Sequence, residues 1–134
     1  MSCPRCDADL VAFDVPPALR EHAPAATAAI CTRCLRTFAV GEGDDAVADI
    51  SAEMATDPDF SAVDPAFPDG EAGVALALVC GLLESFALNR ASIEALVEHA
   101  ELSGADAFAF FERLDAAEAA FDLDRRRAAL LDVL

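Results

Sequence analysis

The chain has 134 residues, enough for one domain or a small module with a second core. It carries a formal charge of −16, with 25 acids against nine bases, every base an arginine. The longest apolar run, Ala72 to Leu83 between Glu71 and Glu84, is shorter than the roughly 20 residues a membrane helix needs. The opening residues read as no signal peptide, so a cytoplasmic protein with reduced thiols is expected.

Arginine without lysine, much alanine and abundant aspartate are a composition suited to concentrated salt, where carboxylates keep a surface hydrated. The Debye length there falls to about 3 Å, so the charge need not repel an anionic partner at range. The acid is unevenly spread. Residues 1–40 balance Arg5, Arg20, Arg33 and Arg36 against Asp7, Asp9, Asp14 and Glu21. Residues 41–71 hold ten acids and no base, and residues 72–134 hold eleven acids and five arginines. A neutral segment in an acidic chain is a candidate contact surface.

The first element is Cys3-Pro4-Arg5-Cys6, answered by Cys31-Thr32-Arg33-Cys34 after 24 intervening residues. Two C-x2-C pairs read as a tetrahedral Zn²⁺ site with ligands Cys3, Cys6, Cys31 and Cys34. Four thiolates fill the shell, which makes the ion structural rather than catalytic. Rubredoxin-type iron and dithiol redox chemistry compete with zinc. The chain lacks the Trp and Tyr that pack around rubredoxin iron, and it shows no βαβ pattern around a single C-x2-C. Asp7 follows the first pair, where positive φ is usual, and Asp tolerates that region. Leu10 to Val15 reads as a strand ended by Pro16-Pro17, Ala18 to His22 as a helical turn, and Thr27 to Ile30 as the lead into the second pair. Leu35 to Val40 alternates as a strand. This layout is a zinc ribbon over residues 1–40, too small to fold without its metal. His22 reads as a surface residue rather than a ligand. Arg5, Arg33 and Arg36 stand in or beside the knuckles as possible contacts to a partner.

Residues 41–70 read as an acidic linker with prolines at 58, 65 and 68. Its apolar residues Phe60, Val63 and Phe67 are expected to dock on the chain's own core. No D-x-[DN]-x-[DN]-G pattern marks a calcium loop.

Residues 71–134 predict a bundle of about four helices, so the fold class is α+β. The first, about Glu71 to Leu88, is apolar nearly all round and belongs at the centre. Its stripe of Gly73, Ala77, Gly81 and Ser85 lets another helix approach, within the chain or across a homodimer. Cys80 reads as a buried free thiol. Asn89 caps a second helix with Ile93, Leu96, Val97 and Ala100 inward, ended by Ser103-Gly104. Asp106 caps a third with Ala107, Phe110, Phe111, Leu114, Ala117 and Phe121 at helical spacing. A fourth starts near Asp122 or Asp124. Arg125-Arg126-Arg127 lies early in it and is expected to pair with surrounding carboxylates. Three consecutive helical residues point about 100° apart and make no flat basic patch.

Cys3-Pro4-x-Cys6, Ala29-Ile30-Cys31-Thr32-Arg33-Cys34-Leu35-Arg36-Thr37-Phe38, the stretch from Phe67 to Arg90, and Phe121-Asp122-x-Asp124-Arg125-Arg126-Arg127 resemble an uncharacterised haloarchaeal family with an N-terminal zinc ribbon. The resemblance covers most of the chain and implies a halophilic cytoplasm and a zinc site, with no activity to carry over. The Cys3–Cys6 knuckle alone is similar to small zinc-finger proteins with a Cys-Pro-x-Cys-Gly motif, from which Asp7 departs. The expected role is therefore non-enzymatic: zinc binding with a protein partner, and secondarily association with nucleic acid.

Overall fold

A computed structural model describes residues 3–40, 58–114 and 123–133. Three antiparallel strands, β1 (Leu10–Asp14), β2 (Thr27–Cys31) and β3 (Thr37–Ala39), form one sheet in sequence order. Four α-helices are seen among the described residues: α1 (Gly70–Leu82), α2 (Arg90–Leu102), α3 (Ala107–Arg113) and α4 (Leu123–Val133). The class is α+β, with the cysteine pairs at the N-terminal sheet.

The sheet's period of two sorts its residues onto two faces. Leu10 pairs with Cys31 and Asp14 with Thr27, while Ile30 pairs with Thr37 across the next rung. Val11, Phe13, Ala28 and Ile30 join the main core with the helices. Leu10, Ala29 and Cys31 join a small second cluster with Ala8, Cys3 and Cys34, flanked by Phe38 and Val40. Each β2 residue from Ala28 to Cys31 is fully buried, because one face meets the helices and the other meets the cysteine knuckles. The link from β1 to β2 begins with a 3-10 turn over Pro17–His22 that plants Leu19 in the main core.

Helix α1 is buried at every position from Ala72 to Cys80, as an all-round apolar helix must be. It stops at Leu82, short of the expected Leu88. A 3-10 turn at Leu83–Ser85 follows. There the Ser85 carbonyl accepts from both the backbone and the side-chain amide of Asn89, so the chain turns back and α2 lies against α1. Leu88, expected in the apolar set, is left 89 % exposed on that turn. Asn89 occupies the N-cap position of α2, but its side chain serves the turn and makes no cap bond. Ile93, Leu96, Val97 and Ala100 are buried as the spacing requires. His99 Nε2 sits 3.0 Å from Glu71 Oε2, tying α2 to the start of α1. The turn after α2 has Gly104 at φ +99, and Asp106 then caps α3 by accepting from Ala109 N–H at 3.0 Å.

The small-residue stripe is covered by the chain itself. A β-carbon on Gly73 would overlap the Pro68 carbonyl and the Phe60 ring, and one on Gly81 would overlap Thr37 of β3. Ala77 has no exposed surface, and only Ser85 faces outward. The close neighbours are thus the segment before α1 and the third strand.

Phe60 and Phe67 dock on the core as expected. Five rings run in contact from the sheet to α3: Phe13 to Phe60 at 5.5 Å, Phe60 to Phe67 at 5.6 Å, Phe67 to Phe110 at 4.7 Å and Phe110 to Phe111 at 4.8 Å. The main core therefore draws on residues from 1–40, from 58–69 and from the helices together. Of the expected linker over 41–70, residues 41–57 lie outside the described residues, as do the expected third-helix positions Ala117 and Phe121.

Helix α3 ends at Arg113, and Leu114 leaves helical geometry with φ −59 and ψ 126. Arg127 of α4 binds that end. Its Nε donates to the Phe111 carbonyl at 2.6 Å, and its Nη2 donates to the Leu114 carbonyl. Among the described residues, its carboxylate partner is Asp124 at 3.2 Å. Arg127 thus works on backbone carbonyls at a helix end, where a cation also complements the dipole, as well as on a carboxylate.

Candidate metal centre

The two C-x2-C turns are built alike. In each, the first cysteine donates its N–H to a carbonyl five residues on: Cys3 to Ala8 at 2.7 Å, Cys31 to Arg36 at 2.9 Å. In each, the amide two residues later points at the first sulfur: Arg5 N–H to Cys3 Sγ and Arg33 N–H to Cys31 Sγ, both 3.4 Å. In each, the residue after the second cysteine takes positive φ, Asp7 at 66° and Leu35 at 63°. The turns are joined through Thr32, whose N–H and hydroxyl both donate to the Asp9 carbonyl at 2.9 Å.

This folding brings the four sulfurs of Cys3, Cys6, Cys31 and Cys34 within 4.8 Å of one another. Across the knuckles, Cys6 lies 3.3 Å from Cys31 and Cys3 lies 3.8 Å from Cys34. No disulfide links them. Cys3, Cys31 and Cys34 are at most 3 % exposed, while Cys6 is half-buried. Burial pushes the Cys31 and Cys34 thiols up, and the Ala8 amide draws Cys6 down. Four thiolates held this close repel one another and need a cation among them. The backbone amides aimed at sulfur are the outer contacts that fix thiolate ligands in place. The donor set and its closure fit a soft or borderline divalent ion in a tetrahedral site.

Arg5 and Arg33 stand exposed on the two knuckles, each one residue before the second cysteine of its pair. Arg36 is placed differently. Its Nε lies 3.5 Å from Glu84 Oε2 after α1, so this arginine joins the sheet to the helices. His22 is not among the clustered donors. It is half-buried rather than on the surface, with Nε2 3.6 Å from Glu21 and Nδ1 without a partner among the described residues. Cys80 lies apart in α1 as a free thiol with 1 % exposure. The positive φ at Leu35 escaped the sequence reading. The repeat of the first knuckle in the second is the signal that marks it.

Among the described residues, no helix is long and apolar enough to cross a membrane. What emerges is a small α+β protein with a four-cysteine cluster able to hold a metal ion. Over residues 2–134 the chain matches the model of a family of unknown function, DUF6276, and it belongs to that family. No curated protein and no solved structure matches it.

Proposed function

We propose that Cys3, Cys6, Cys31 and Cys34 bind one structural Zn²⁺, and that the protein works without catalysing a reaction, as a protein-interaction or regulatory factor in a salt-rich cytoplasm. The convergence of all four sulfurs within 4.8 Å carries this reading. Four thiolates leave no open position for substrate, which argues for a structural ion. Structural zinc contributes on the order of 10–16 kcal/mol at such sites, a large sum beside the few side chains of the second cluster. The contact surface is the charge-balanced end of the molecule, where Arg5 and Arg33 are exposed on adjacent turns. Arginine there suits a carboxylate-bearing protein partner. Arg36, half-buried and 3.5 Å from Glu84, is the third arginine of that end.

Native mass measurement with elemental analysis tests the metal. One zinc per chain is expected, and a metal-free mass or stoichiometric iron overturns it. For the surface, Arg5→Asp with Arg33→Asp is expected to abolish capture of a partner from high-salt lysate while zinc stays at one per chain. Undiminished capture with intact zinc overturns it.

A further inference from the structure

We propose that Cys6 is a modification site, the sulfur through which peroxides enter the cluster, with Cys31 as the thiol that resolves it and discharges the metal. The inference rests on the metal-centre reading above and concerns how that centre is opened.

Three observations carry it. Cys6 is the one half-buried sulfur of the four, while Cys3, Cys31 and Cys34 are shielded to 3 % exposure or less. The Cys31 sulfur lies 3.3 Å from that of Cys6, closer than the 3.8 Å between Cys3 and Cys34. Cys31 is held in place by two backbone amides, from Arg33 and Cys34, both at 3.4 Å. An oxidant small enough to approach from solvent thus meets Cys6 first, and the thiol best placed to attack the product is already fixed beside it. Oxidation of thiols follows thiolate character and exposure, and a ligand thiolate already has the first.

The chemistry balances with hydrogen peroxide as the named oxidant. The Cys6 thiolate attacks one peroxide oxygen. An S–O bond forms, the O–O bond breaks, and hydroxide leaves with the electron pair, giving the sulfenic acid. The Cys31 thiolate then attacks the Cys6 sulfur, an S–S bond forms, and the S–O bond breaks with loss of a second hydroxide. Two thiolates lose one electron each, and peroxide takes both. With Cys6 and Cys31 joined, Cys3 and Cys34 remain as two ligands, too few for a closed tetrahedral site. Thiol reductant and fresh zinc restore the starting state.

The test uses the full-length, metal-loaded chain. Hydrogen peroxide is added substoichiometrically, metal release is followed with a chromogenic chelator, and the products are mapped by mass spectrometry without reduction. The expected result is one metal ion lost per peroxide consumed, with Cys6–Cys31 as the first disulfide. A limiting dose of iodoacetamide is expected to label Cys6 before the other three ligands and before Cys80. A first disulfide between Cys3 and Cys34 or within one C-x2-C pair overturns the proposal, as does first labelling of a buried cysteine. Loaded protein that keeps its metal under peroxide overturns this inference alone. Protein isolated with no metal overturns the zinc reading and this inference with it.

Discussion

Thr37 of β3 packs directly on Gly81 of α1, its Cγ2 only 2.6 Å from where a β-carbon on that glycine would lie. Beside it, Arg36 reaches Glu84 just past the end of the same helix. These two contacts join the cysteine-bearing sheet to the helices. They explain why α1 needs a small residue at position 81: the neighbour there is a strand of the same chain.

Gly81→Ala is therefore expected to destabilise the protein, although alanine is the better helix former by about 1 kcal/mol. Forcing a methyl into a filled space costs about 1–3 kcal/mol, and here it also parts the sheet from the helix. Chemical denaturation at fixed metal occupancy checks it. Thr37→Ala in the same chain removes the two side-chain atoms nearest the new methyl and should recover part of the loss. A double-mutant cycle with no coupling would show that the two residues do not act as a pair.

The two positive-φ residues make opposite predictions. Asp7 is exposed at φ 66 and has no core role, so Asp7→Gly relieves the backbone and should stabilise by about 0.5–1 kcal/mol. Leu35 holds φ 63 while its side chain is 1 % exposed in the main core. Leu35→Gly relieves the same strain but deletes a buried leucine, a loss of about 2–5 kcal/mol. The thermal midpoint should rise for the first and fall for the second, at equal zinc content.

Much of this was legible because it depends on local patterns. The spacing of Cys3, Cys6, Cys31 and Cys34 is a local signal, as are the helical spacing of Ile93, Leu96 and Val97 and the Asp106 cap. What escaped depends on distant partners. Nothing near Arg127 says that it will hold the Phe111 and Leu114 carbonyls, because those groups come from an earlier helix. Leu88 fits the apolar run of α1 by composition, yet the turn set by Ser85 and Asn89 leaves it in solvent. Arg36 has the same local setting as Arg33 until the fold brings Glu84 beside it.

Arg127→Met keeps the aliphatic stem and removes the donors. The carbonyls of Phe111 and Leu114 lose a charge-assisted partner, and the expected cost is about 1–2 kcal/mol, since the site is part-exposed to water. Arg127→Lys should recover less than half of it. A single ammonium on a flexible stem does not reproduce the fork that spans two carbonyls. Full rescue by lysine would reduce the interaction to charge near a helix end. Urea denaturation of the three proteins decides between them.

Cys80 gives the pH dependence. Burial pushes its thiol up from 9.0 to about 12, with the Asp64 carboxylate adding to the shift. The neutral thiol is thus favoured in the folded chain. Below pH about 9 both folded and unfolded states carry the proton, and the contribution to stability is fully present. Between about 9 and 12 the unfolded chain releases the proton while the folded chain retains it. The unfolded state then binds fewer protons, and unfolding becomes easier as pH rises. Cys80→Ala removes this titration. It lowers stability at neutral pH by leaving a small void at a 1 %-exposed site, but its decline from pH 9 to 11 should be shallower than that of the parent. The quantity to measure is the difference in unfolding free energy between the two proteins across that range, both loaded with zinc. A difference that shrinks steadily with rising pH is expected. A constant difference would mean that the thiol ionises alike in the folded and unfolded chain.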